Sequence, residues 1–153
     1  MIIVCVTEQS CCDRLILAGY RLSKQWNEPL RVITVRPKRM GRCDADHDCW
    51  LGSPELEYLA DVCHSVDADL YFMFDDHPDR AVIRYIEEHQ PSAVVTGVPP
   101  AGTVSAFNTA LQARFPGLTI CPVDADGHLI QTAVRTALQP AQQRTAHWGQ
   151  VYG

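Results

Sequence analysis

The chain has 153 residues, 46% of them hydrophobic and 20% charged, with a formal net charge of −5. That length is enough for one domain with a real core, and no apolar run approaches the roughly 20 residues of a membrane span. The negative balance argues against a general nucleic-acid binder or a membrane-surface binder.

The chain opens on the apolar run Ile2–Val6. No basic segment precedes it and Thr7, Glu8 and Gln9 follow, which is not the pattern of a secretory signal. Ser10 can cap a helix from about Cys11, with Asp13 in the acid-preferring first turn. Leu15, Ala18, Gly19, Leu22 and Trp26 then recur at helical spacing, and Asn27-Glu28-Pro29 stops the helix. Arg31–Val35 reads as a second strand, and residues 37–52 as one long irregular connection. Its basic residues Arg36, Lys38, Arg39 and Arg42 are followed at once by Asp44, Asp46 and Asp48, so their field stays local. Ser53-Pro54-Glu55 is a helix start, with a cap, a first-position proline and an acid. Leu56, Leu59, Ala60 and Cys63 form that helix's inner face.

Leu70–Phe74 is a third strand, and Asp76 or His77 with Pro78 opens a third helix facing inward through Val82, Ile83 and Ile86. Pro91 closes it. A fourth strand, Ala93–Val95, runs into Gly97-Val98-Pro99-Pro100-Ala101-Gly102. Thr103 caps a fourth helix with the stripe Phe107, Leu111 and Phe115, and Leu118–Val123 is a fifth strand. Asp124-Ala125-Asp126-Gly127 is a turn, and Asp-Gly between β-type runs is a hairpin signal. His128–Arg135 is therefore expected as an antiparallel edge strand. Residues 1–138 form the domain and 139–153 a polar tail, with Trp148 and Tyr152 as anchors.

Apolar strands alternating with helices imply right-handed crossovers and an open parallel α/β sheet with helices on both faces. In such a sheet a ligand sits at the carboxyl ends of the strands, where the strand order reverses. Thr7, Glu8, Val35, Gly97, Gly102 and Thr103 follow strand ends or open the fourth helix, and are the candidate lining of that crevice.

Ile3-Val4-Cys5-Val6 with Ser10, Asp13-Arg14-Leu15, Ala18 and Arg21-Leu22 resembles the opening of the universal stress protein family. The version inside KdpD-type potassium-sensor histidine kinases is the most similar. Ala93-Val94-Val95-Thr96-Gly97 and Leu118-Thr119-Ile120-Cys121-Pro122-Val123 resemble that family's fourth and fifth strands, and the likeness spans about residues 2–124. It implies strand order 3-2-1-4-5, with the uncharged Ile2–Val6 at the centre. It also implies an adenine nucleotide above strands 1 and 4, homodimers through strand 5 or the segment after it, and a kinase or other protein partner. The family's ATP motif is a glycine, two residues, a glycine, nine residues, a glycine and then serine or threonine. Here it meets Gly97, Pro100, Ala110 and Leu111, so only its first position matches. Pro99 and Pro100 remove N–H donors where phosphate needs them. Thr7 stands where ATP-binding members end strand 1 in an acid. The expectation is a small cytoplasmic regulatory or ligand-sensing protein with at most weak adenine-nucleotide binding. Two alternatives stay open, a nucleotide-processing enzyme of the same fold and a ligand-free dimerisation module. For the enzyme, Thr7-Glu8-Gln9-Ser10 does not supply a glycine-rich phosphate loop.

Other residues weigh towards bland roles. The seven cysteines are an odd count without a CxxC, which fits a reducing compartment. Cys11 and Cys12 at a helix start are candidate redox thiols, but are more simply read as small residues of the loop. Cys43, His47 and Cys49 are ligand types without a zinc spacing, so no metal is expected. Asp124-x-Asp126-Gly127 lacks the rest of a calcium loop. Asp75 and Asp76 suggest a response-regulator receiver, yet only Glu8 is acidic after strand 1 and no lysine follows strand 5. Asp76 is accordingly expected as a helix cap.

Overall fold

Ile2, Ile3, Val4, Cys5 and Val6 form β1 (Ile2–Val6), and every one of them is buried. A run without charge or polar alternation can only sit inside a sheet covered on both faces. The computed structural model describes residues 1–6, 12–42, 50–98, 106–124 and 127–128. Around β1 it places α1 (Cys12–Trp26), β2 (Leu30–Arg36), α2 (Pro54–Ser65), β3 (Asp69–Phe74), α3 (Pro78–His89), β4 (Ala93–Gly97), α4 (Ala106–Arg114) and β5 (Thr119–Val123). The sheet is all parallel in the order β3-β2-β1-β4-β5. This is the expected order, with β1 at the centre.

Alternation along the strands divides the core in two. Ile2, Val4, Val6, Val32, Val95 and Cys121 pack under α1 and α2. Ile3, Cys5, Ile33, Val94 and Ile120 pack with Val82, Tyr85 and Ile86 of α3 and Leu111 of α4. Burying each aliphatic side chain is worth about 1.5–3 kcal/mol, so the two faces together supply most of the driving force.

The helix ends follow local chemistry. Ser53 caps α2, accepting a hydrogen bond from Leu56 N–H at 3.2 Å, and Pro54 takes the first helical position. Asn27, Asp67 and Gln90, which follow the ends of α1, α2 and α3, are left-handed at φ 53, 55 and 46°. Asp76 departs from expectation. His77 is the residue before α3 and gives no side-chain cap, while Asp76 accepts a hydrogen bond from Lys38 N–H at 3.1 Å. Its carboxylate thus ties down the β2–α2 connection instead of the helix. Asp75 takes the local role and accepts from His77 N–H at 2.7 Å.

That connection covers one face of β3. Short 3-10 turns at Lys38–Gly41 and Trp50–Gly52 bring Trp50 into the core, 3% exposed. Its ring meets Phe72 and Phe74 edge-on at 5.5 and 5.9 Å, a favourable quadrupole geometry. Arg36 lies 5.7 Å over the same ring and pairs with Glu55 at the start of α2. Gly41 is required here, because a Cβ would stand 2.9 Å from the Phe74 ring.

Thr119, Ile120, Cys121 and Val123 of β5 are buried, while Tyr71 and Phe72 of β3, the strand at the opposite end of the sheet, are open to solvent. Beyond β5 the described residues Asp124, Gly127 and His128 are hydrogen-bonded to one another. Asp124 N–H donates to His128 O at 2.9 Å, Gly127 N–H to Asp124 O at 3.0 Å, and Gly127 takes φ 84°. The expected edge strand His128–Arg135 lies outside the described residues except for His128.

The four described cysteines are core residues. Burial pushes the thiols of Cys5 and Cys121 up to about 12 and that of Cys63 up to about 11. Cys12 is 1% exposed and its thiol donates to Asp13 Oδ1 at 3.3 Å. Iodoacetamide at about pH 8 should therefore leave all four unmodified until the protein unfolds. A peptide mass map showing fast labelling of Cys12 in the folded state would restore a reactive thiol.

Gly19 sets how closely α1 approaches β1. A Cβ there would lie 2.3 Å from Val4 Cγ2 and 3.1 Å from Leu30 Cδ1. Replacing glycine by alanine gains about 1 kcal/mol in a helix interior, whereas overpacking costs about 1–3 kcal/mol. Val4 is β-branched and fully buried, so it cannot swing aside. Gly19→Ala should lower the urea midpoint, and an unchanged or raised midpoint would show slack between α1 and β1.

Candidate functional site

The crevice is built by where the strands part. The β1–β2 ladder continues to Val6–Thr34, but the β1–β4 ladder runs only from Ile2–Ala93 to Val4–Val95. β4 itself goes on beside β5 to Gly97–Val123. The carboxyl end of β1 therefore leaves β4 before either strand ends. The following helices pack on opposite faces, α1 with the Val4 layer and α4 with the Ile3 layer. That divergence is the topological switch point of an open α/β sheet.

Two of the six candidate residues are described, Gly97 beside this opening and Val35 one strand away from it, on β2. Val35 is half-buried on β2, one position past the last β1 pair and beside Met73. Gly97 is exposed at the end of β4, where an added Cβ would stand 3.8 Å from Leu15 Cδ1. Nothing crowds Gly97, so its role is to leave the backbone above Leu15 uncovered. Asn108 of α4 donates to the Gly97 carbonyl at 3.5 Å, which relates the helix to the strand end. Thr7, Glu8, Gly102 and Thr103 lie outside the described residues, as do Cys11, Cys43, His47, Cys49, Pro99 and Pro100.

Two further polar groups reach the carboxyl half of the sheet. Thr34 and Thr96 are 1% and 2% exposed, and neither hydroxyl has a hydrogen-bond partner among the described residues. A buried hydroxyl without a partner costs about 1–3 kcal/mol. Their places are set by register: Thr34 lies opposite Val6, on the same face as Val32, and Thr96 on the same face as Val94. In sequence both look like β-branched strand filler, and only the register reveals their position beside the opening.

The mouth of α1 carries a second polar group. Asp13 accepts from the Cys12 thiol through Oδ1 and from the Tyr58 hydroxyl through Oδ2, which joins α1 to α2. The hydrogen bond to Asp13 is the main cause that pushes the exposed Tyr58 phenol up to about 12. On the β2 side, Lys38, Arg39 and Arg42 are exposed just past the strand end. No group of three or more His, Cys, Asp or Glu side chains among the described residues is arranged to hold a metal ion. No helix among them is long and apolar enough to cross a membrane.

No family model and no curated protein matches the chain. Solved structures do. A universal stress protein from Archaeoglobus fulgidus superposes with a TM-score of 0.53 at 13% identity, over 80% of this chain and 96% of that one. A universal stress protein family protein from Arabidopsis thaliana, solved with AMP bound, gives 0.51 at 16% identity over 82% and 94%. At these identities the likeness is one of fold: this chain has the five-stranded parallel α/β architecture of universal stress proteins.

Proposed function

We propose that the protein is a small regulatory, ligand-sensing protein of universal stress type, and that its crevice takes an adenine nucleotide weakly. The observation that carries this reading is the divergence of β1 from β4, which opens between Val6 and Gly97. An adenine and its ribose need apolar walls and a few polar groups, and the bare, exposed backbone of Gly97 with Leu15 behind it is of that kind. The fold neighbour from Arabidopsis thaliana, with AMP bound, supports the choice of ligand class. The sequence after β4 limits the phosphate end. Pro99 and Pro100 offer no N–H, and Pro100, Ala110 and Leu111 replace the remaining motif positions. A second copy of the chain is the expected partner, through β5 or the segment after it, with a cytoplasmic setting and a kinase or other protein partner as the remaining parts of the proposal.

Because the nucleoside end supplies the contacts, AMP, ADP and ATP should bind with similar dissociation constants. These should lie near 1 mM, about −4 kcal/mol. Titration calorimetry with the three nucleotides is the test. Micromolar ATP binding that AMP does not match would reveal a working phosphate loop and reject the weak-binding reading. No heat from any of them at several millimolar would leave the ligand-free dimerisation module.

A further inference from the structure

β3 is an end strand of the sheet, and no described residue pairs with its outer side. It reads Asp69-Leu70-Tyr71-Phe72-Met73-Phe74, with no proline, lysine or glycine inside it. Natural edge strands are blunted by such residues, because a bare edge is a template for another strand. Here Tyr71 and Phe72 point to opposite faces and are still 45% and 37% exposed.

Beside this edge, between β3 and α3, lies a groove of about 280 Å³. Tyr71, Met73 and Tyr85 give it apolar walls, and Asp75, Arg84 and Glu88 supply its charges. One wall is held firmly. The Tyr85 hydroxyl accepts a 2.5 Å hydrogen bond from Arg31, and its ring stacks on His89 at 3.9 Å. No ion pair joins Arg84, Glu88 or Asp75 to another group among the described residues. Two carboxylates face one guanidinium there, while Asp69 at the other end of the strand is paired with Arg31 at 3.6 Å.

We propose that β3 and α3 form a docking groove for an extended, apolar and basic peptide of a partner protein, which adds to the free edge of the sheet. Strand addition supplies main-chain hydrogen bonds, and alternate side chains supply specificity. Every second side chain of the added strand falls on the groove side. A lysine or arginine there lays its aliphatic stem on Tyr71 and Met73 and brings its cation to Asp75 or Glu88. A second copy of this chain is the poorer occupant. An antiparallel β3 pair centred on Phe72 sets each Asp69 opposite an Asp75, and like charges opposed across strands are destabilising.

Fluorescence anisotropy of the full chain with a labelled heptapeptide of alternating valine and lysine tests the proposal. Saturable binding with Kd of about 10–100 μM is expected. The same peptide with glutamate for lysine should bind at least about tenfold more weakly. Methylating its backbone nitrogens on alternate residues should abolish binding if main-chain pairing carries it. Glu88→Gln should weaken binding roughly threefold or more, and Tyr71→Lys should block the edge. Far-ultraviolet circular dichroism should stay unchanged for both, and the melting temperature for Glu88→Gln, since Tyr71→Lys also loses a ring contact with Tyr85 at 5.0 Å. Equal affinity for the two charge variants, indifference to backbone methylation, or no saturation by about 1 mM peptide would overturn the proposal. So would a free protein of doubled mass that Tyr71→Lys returns to a monomer, since the edge would then belong to a second copy.

Discussion

The burial of β1 is the constraint on which everything else depends. Five consecutive residues without charge need cover on both faces and a neighbour on both sides. The only arrangement that supplies this puts β2 and β4 beside it, with α1 and α2 over one face and α3 and α4 over the other. Gly19 sharpens the requirement, because α1 lies so close to Val4 that a single methyl has no room. Once β1 is central, the chain must leave it in two directions, and the strand order must reverse there.

The crevice is thus a consequence of the core and needs no motif of its own. The β1–β4 ladder stops at Val4–Val95 while β1 continues to Val6, so the sheet opens where α1 and α4 depart to opposite faces. What the opening can hold depends on the loops above it. A glycine-rich loop would offer a row of N–H donors for phosphate, and this sequence sets two prolines there instead. The hydroxyls of Thr34 and Thr96 are buried near the carboxyl ends of their strands with no hydrogen-bond partner among the described residues.

Much of this was legible in the sequence, for physical reasons. Uninterrupted apolar runs announce buried parallel strands, and Ser53-Pro54-Glu55 announced the start of α2 to the residue. Gly97 at the end of β4 and Val35 near the end of β2 could be placed because strand ends follow from those same runs. The rest depended on contacts between residues far apart in sequence. Asp76 has the composition of a cap, yet Lys38, 38 positions away, takes its carboxylate. Trp50 sits in a polar connection and still enters the core, because Phe72 and Phe74 present ring edges to it. The identity of the exposed edge was likewise hidden. β3 and β5 are both short, apolar end strands, and only the packing shows that Tyr71 and Phe72 of β3 stand open to solvent while the side chains of β5 are mostly buried.

Native-state hydrogen exchange along the sheet bears most directly on the claim that β1 organises the molecule. The amides of Ile3, Val4, Cys5 and Val6 should exchange only through global unfolding, with the same opening free energy and denaturant dependence as the whole protein. Those of Tyr71 to Phe74 on the edge strand should exchange earlier, through local opening. Exchange of the β1 amides ahead of, or level with, those of β3 would contradict the central place of β1 and the crevice built upon it.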